Sequence, residues 1–262
     1  MRLSARALNA ILRGWRDRLR GARWAPWGGD ILRPEVFQGK RVIIVGPAET
    51  VVDDLAGTDV DSYDVVVRLN NGLALAAARP ELLGRRTDIL IHNLREDGPR
   101  SAGAIPAEVL HRNDVRMLVY PHWHRRAFRA KRDALARNGG PPLKLIPPVM
   151  LRRMRDDLGG RRPTVGACAV MFFLDAPIRE LAIHGFTFFE TAYAPGYNDA
   201  VRTAAEARAW VDARGTHEPV SEKRAIARRL AAPNVPPVTL GQGVRRHLEA
   251  ERPPVPQVRN RP

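Results

Sequence analysis

Cysteine is nearly missing from this 262-residue chain: Cys168 is the only one. A single thiol excludes an intrachain disulfide and any cysteine-built metal centre, and it suits a reducing compartment. Long hydrophobic runs are missing too. No stretch of about eighteen apolar residues occurs, so no transmembrane helix is expected. The N-terminus also lacks the continuous apolar core of a secretory signal, and a cytoplasmic location is the simplest expectation. Acidic residues are few, 28 against 43 Lys and Arg, which leaves a formal charge of +15. That excess suits an anionic partner, whether nucleic acid, anionic lipid, or a charged glycan or nucleotide, without choosing among them. Most of it is Arg, and an Arg/Ala/Pro-rich background can also arise from coding bias alone.

Two glycine patterns are absent as well. No G-x-x-x-x-G-K-[ST] phosphate loop is present. The G-x-G-x-x-G dinucleotide fingerprint fails because the next glycine after Gly46 is Gly57, which argues against NAD or FAD. What surrounds Gly46 is more informative. Val42-Ile43-Ile44-Val45 is a β-branched run closed by Gly46, and a second apolar run, Val65 to Val67, ends in Arg68-Leu69-Asn70-Asn71-Gly72. Such runs read as parallel strands covered on both faces. Ligands of open α/β sheets bind beyond the carboxyl ends of these strands, which is where Gly46 and Asn70 stand. A nucleotide other than a dinucleotide is the first expectation.

The 44% apolar content supports one large α/β domain with appendages. Residues 1–28 read as a basic amphipathic helix and linker. Leu8, Ile11, Leu12, Trp15 and Leu19 form one stripe, with arginines off it, so that 1–24 can lie on an anionic membrane surface or dock on protein. The body is expected over 36–230. Strands are expected at 42–45, 64–69, 88–92, 116–120 and 181–184. Helices are expected at 75–83, 124–137, 147–158, 166–174, 202–213 and 219–230. This alternation predicts a Rossmann-like α/β fold, a mainly parallel sheet with helices on both faces. Residues 231–262 read as a Pro/Arg-rich tail with one short helix near 242–250.

Two further segments carry chemistry. In Thr216-His217-Glu218-Pro219-Val220-Ser221-Glu222, Pro219 suits a first helical turn, which places His217 just before the helix. The positive end of a helix dipole disfavours imidazolium, so His217 can accept a proton, although a polar cap is the commoner role of such a histidine. Arg162-Pro163-Thr164-Val165-Gly166 leads into a small apolar helix, a start that suits an anion or plain capping.

Together these segments resemble the sialyltransferase family defined by large, small and very small sialylmotifs. Asp61-Ser62-Tyr63-Asp64 through Arg68, Asn70, Asn71 and Gly72 is similar to the second half of the large motif. Pro163-Thr164-Val165-Gly166 with Ile183-His184-Gly185-Phe186 is similar to the small motif, and His217 with Glu222 to the very small one. The resemblance spans roughly 41–224. It implies a variant GT-A fold and an inverting, metal-independent transfer of an acidic sugar, sialic acid or Kdo, from a CMP-sugar donor to a glycan or glycolipid acceptor. It also implies donor contacts at Gly46, Asn70, Thr164, Gly166 and Tyr197, a general base at His217, and Glu222 in base orientation or in capping or packing. No cofactor or metal is implied. The sequence departs from the family at Pro47-Ala48, at Val165 and in lacking paired cysteines, which leaves the donor sugar open and suits a bacterial, cytoplasmic enzyme at the inner membrane face.

Other residues invite rival readings. Asp59 and Asp61 imitate the Asp-x-Asp metal motif of other glycosyltransferases. His122 and His124 beside Arg125 read as a polar loop or an acceptor-binding one. His92 and His184 end apolar strands and read as core or rim, Cys168 reads as packing, and Glu190 to Tyr193 is a candidate acceptor border. The alternative function is a basic nucleic-acid-binding or membrane-surface scaffold protein without catalysis. Nucleic acid is the weaker partner, since no binding module is recognisable.

Overall fold

The structure, a computed structural model, describes residues 29–98, 101–213 and 215–249. The expected N-terminal helix of residues 1–24 and the end of the tail lie outside them. The compact body begins at Leu32. Seven strands form one sheet: β1 (Arg41–Val45), β2 (Val65–Leu69), β3 (Ile89–Ile91), β4 (Met117–Tyr120), β5 (Leu143–Leu145), β6 (Glu180–His184) and β7 (Val238–Leu240). Their order is β5-β4-β3-β2-β1-β6-β7, and every pairing is parallel. The register sets Val42 against Val65 and Leu181.

The helices are α1 (Val51–Asp54), α2 (Gly72–Ala78), α3 (Pro80–Leu83), α4 (Ala107–Arg112), α5 (Arg125–Arg137), α6 (Pro148–Asp157), α7 (Val165–Leu174), α8 (Ala204–Asp212), α9 (Pro219–Leu230) and α10 (Gln242–Glu249). They cover both faces of the sheet. Side chains alternate along a strand, so Val42, Ile44, Val65 and Val67 pack with α6, α7, α9 and α10. Ile43, Val45 and Val66 pack on the opposite side with Val51, Leu75 and Leu83. Helix α7, VGACAVMFFL, is apolar all round, as a helix buried all round should be. All of its residues but Gly166 are buried, Cys168 among them. Phe172 and Phe173 meet each other and Phe37 edge to face, and each buried ring stabilises by about 1.5–3 kcal/mol.

Three expectations need correction. The 75–83 helix is two helices, because Pro80 pushes Arg79 out of the helical region to φ −145° and ψ 58°. A strand at 143–145 went unrecognised. Finally, the tail does not begin at 231: β7 extends the sheet beside β6, and Val244 and Leu248 of α10 enter the core. The helix expected near 242–250 is α10.

From β1 the chain steps outward through β2 to β5 and then returns to lay β6 on the other side of β1. Strand order thus reverses at β1, the place beyond whose strand ends ligands of such sheets bind, and the loops leaving β1 and β6 are tied to each other there.

Candidate active site

A cleft of about 160 Å³ opens at this switch point. It is room for some ten water molecules at about 10–15 Å³ each, far more than an ion needs. Its wall includes Asn70, Thr164, Gly166, Tyr197, His217 and Glu222, residues that come from the end of β2, the start of α7, the loop before α8 and the start of α9.

Asn70 adopts the left-handed conformation, φ 48°, which Asn tolerates better than most side chains. Its Oδ1 accepts the amide of Asn93 at 3.1 Å, and its side chain is hydrogen-bonded to Tyr197. The neighbouring Asn71 donates to the carbonyl of Tyr197 at 2.8 Å. The end of β2 therefore fixes Tyr197 twice. Burial pushes the Tyr197 hydroxyl up to about 12, so it is a donor at neutral pH. Tyr193 lies 5.0 Å from it, ring centre to ring centre.

Thr164 caps α7 through its hydroxyl, which accepts the Ala167 amide at 3.1 Å. Glu222 in turn receives the Thr164 amide and hydroxyl, both at 2.7 Å. Its side chain is buried at 3% exposure. Burial pushes its carboxyl up to about 8, against the pull of the two Thr164 bonds, with nearby Glu218 adding to the rise. Glu222 thus locks the α7 loop onto α9. His217 is held by another group, the Arg162 carbonyl, 2.8 Å from Nδ1. A carbonyl partner requires the proton on Nδ1, so Nε2 carries the lone pair of the neutral ring. Helix α9 itself is capped by Glu218, which accepts the amides of Val220 and Ser221, and His217 stands one residue outside the cap.

Gly46 is not in the wall. It lies beneath the cleft, where a Cβ would come within 2.3 Å of the Gly185 carbonyl and 2.7 Å of the Phe186 ring. Gly166 does line the cleft, and a Cβ there would meet the same ring at 3.0 Å. Both glycines therefore make room for Phe186.

Several wall residues were not singled out from the sequence as site residues: Phe186, Phe188, Phe189 and Trp210. Phe188 and Phe189 both adopt positive φ, 54° and 63°, at a cost on the order of 1–2 kcal/mol each for non-glycine residues. Their neighbour Glu190 accepts from Lys223 Nζ at 2.7 Å and meets His247 Nδ1 at 2.6 Å. Burial raises the Glu190 carboxyl, but these partners outweigh it and leave it below the usual range. Thr191, Ala192 and Tyr193 line the cleft, as does His122, whereas His124 caps α5. Among the described residues no Lys or Arg lines the cleft.

The rival residues have structural partners of their own. Asp61 accepts the amides of Arg85 and Arg86, and Asp59 caps a single 3-10 turn. Among the described residues no group of three His, Cys, Asp or Glu is placed to hold a metal ion. His92 is fully buried between the Ala102 carbonyl and the Leu94 amide, and burial brings its imidazole down to about 4. His184 is buried too, with Nδ1 on the carbonyl of Asp54. No described helix is long and apolar enough to cross a membrane.

An open parallel sheet with a polar and aromatic cleft at its switch point is the layout of a Rossmann-like α/β fold. Comparison with solved structures specifies that fold as the sialyltransferase one. A mammalian sialyltransferase in complex with Gal-beta-1-3GalNAc-ortho-nitrophenol superposes with a TM-score of 0.51 at 18% identity, over 78% of this chain and 70% of that one. A second crystal structure of a mammalian sialyltransferase gives 0.51 at 17% identity, over the same 78% and 70%. The sialyltransferase CstII from Campylobacter jejuni, in complex with CMP-3FNeuAc, gives 0.46 at 12% identity, over 77% and 79%. No family model matches the chain, and no curated protein matches it in sequence.

Proposed function

We propose that this chain is an inverting glycosyltransferase that moves an acidic sugar, sialic acid or Kdo, from a CMP-sugar donor to a glycan or glycolipid acceptor. One observation carries the reading: a single cleft at the sheet's switch point gathers Asn70, Thr164, Gly166, Tyr197 and His217 from four separate segments. In this mechanism the acceptor hydroxyl oxygen attacks the anomeric carbon from the face opposite the phosphate. The bond from that carbon to the phosphate oxygen breaks, and CMP leaves with the electron pair. The acceptor proton passes to Nε2 of His217, a neutral base whose ring the Arg162 carbonyl holds by its other nitrogen. The Tyr197 hydroxyl, a donor at neutral pH, and amides at the α7 N-terminus are suited to the departing phosphate. No step in this scheme calls on a metal. A peripheral location at the inner membrane face, through residues 1–24, belongs to the same proposal and suits a lipid-linked acceptor.

The test is calorimetric titration with CMP, with UMP and GMP as controls, on wild type and Asn70→Ala, followed by transfer assays with CMP-sialic acid and CMP-Kdo in EDTA. Selective CMP binding that Asn70→Ala weakens is the expected result. A folded wild type that ignores CMP would overturn the donor assignment.

A further inference from the structure

Helix α9 touches the cleft at more points than the base and Thr164. Lys223, adjacent to Glu222, is buried at 4% exposure, and its ammonium meets Oε1 of Glu190 while His247 of α10 meets Oε2. Glu190 sits at the tip of the loop that follows β6. That loop is fixed to the loop after β1 on both sides of its tip, through the bonds Ala48 N–H to Gly185 O at 3.0 Å and Glu49 N–H to Ala192 O at 3.0 Å. Between these anchors come Phe188 and Phe189, two successive left-handed residues whose side chains form cleft wall. Such a conformation persists only where the surroundings over-determine it. The carboxylate next in sequence, gripped from two helices, is the anchor placed to do so.

We propose that Lys223, Glu190 and His247 are positioning residues that hold the Phe188–Phe189 wall in its strained shape, and that this wall orients a sugar ring against its aromatic faces. The orienting role rests on the glycosyltransferase reading of the cleft. Helix α9 then registers both sides of the cleft at once: Glu222 fixes the Thr164 side, Lys223 the opposite wall, and His217 stands at the helix entrance. The third member, His247, comes from the segment beyond 231.

The informative variant is the pair Glu190→Gln/Lys223→Met, because removing the carboxylate alone would leave a buried ammonium beside a neutral group and can unfold the chain. Glu190→Gln/Lys223→Met should retain a cooperative unfolding transition, and hydrogen exchange of the amides of 186–192 should accelerate about tenfold. In transfer assays KM for at least one substrate should rise about tenfold while kcat stays within about threefold. Lys223→Arg, which keeps a cation against Glu190, should recover most of both effects. Unchanged exchange and unchanged KM in the folded double variant would overturn the proposal. Equal falls in kcat and kcat/KM would overturn it too, since they mark a group acting in the transition state. Should the wild type neither bind CMP nor transfer sugar, the glycosyltransferase reading fails by itself, and the exchange rates still decide whether the three residues hold the wall.

Discussion

The Glu222–Thr164 lock makes a quantitative claim about pH. Glu222 is buried, both its oxygens are engaged by Thr164, and its carboxyl titrates near about 8 against an ordinary 4.5. The folded protein therefore keeps the proton that the unfolded chain has already lost. The sign follows: the stabilising contribution is complete below the unfolded value and drains away as pH rises toward the folded one. Between pH 5 and pH 8 the loss attributable to this one group is roughly 3 kcal/mol as an upper estimate. Glutamine mimics a protonated carboxyl, with an oxygen to accept the Thr164 amide and an NH₂ to donate to the hydroxyl. Glu222→Gln should thus cost less than about 1 kcal/mol at pH 7 and show none of the group's pH slope. Glu222→Ala leaves the Thr164 amide and hydroxyl without this partner, each at about 1–3 kcal/mol, and leaves a cavity too, for a total of roughly 3–5 kcal/mol. Urea unfolding of all three proteins at pH 5, 6, 7 and 8 reads these quantities directly. If Glu222→Gln were as damaging as Glu222→Ala, or if its stability tracked the wild type across the series, a protonated lock would be refuted.

Three other expectations are as accessible. His217→Ala should lower kcat by about 10²–10⁴-fold while CMP affinity stays within a few-fold; equal losses of both would remove the base assignment. His92 titrates near about 4 in the folded chain against 6.5 unfolded, so only the unfolded state takes a proton in that window. Stability should fall by about 3 kcal/mol as pH drops from 6.5 toward 4, and a His92→Gln profile without that component would isolate it. Gly46→Ala would drive a methyl to 2.3 Å from the Gly185 carbonyl; a destabilisation of at least about 1–3 kcal/mol should appear as a lowered Tm, and an unchanged Tm would contradict the close approach.

The centre of the sheet was legible in the sequence because β1, β2 and β6 are β-branched or apolar runs buried on both faces, and a polar or glycine residue closes each. Its two edges were not. Strands β5 and β7 span three residues each, too few to show a period, and both are preceded by proline pairs that read as loop. Only pairing with β4 and β6 makes them strands. The site residues named from motif spacing do converge on one cleft, apart from Gly46, which lies beneath it. What they do to one another was hidden, because the deciding bonds are long-range. Thr164 and Glu222 are 58 positions apart, and Arg162 and His217 are 55 apart. The aromatic wall at 188–189 was equally invisible, since nothing in Phe188-Phe189 signals a left-handed backbone.

Asp54 closes the circuit between the beginning and the end of the body. Its buried carboxylate accepts the Gly185 amide at 2.9 Å and the Gly243 amide at 2.5 Å, and a Cβ on Gly241 or Gly243 would collide with it. Gly243 is 189 positions downstream. During translation, at about 5–20 residues per second, Asp54 is made on the order of ten seconds or more before Gly243. The edge strand beside β6 is made just before that amide and the histidine that grips Glu190 just after it. An emerging polypeptide can stack β1 to β6, but the Asp54 shell and the grip on Glu190 are completed only once α10 is delivered.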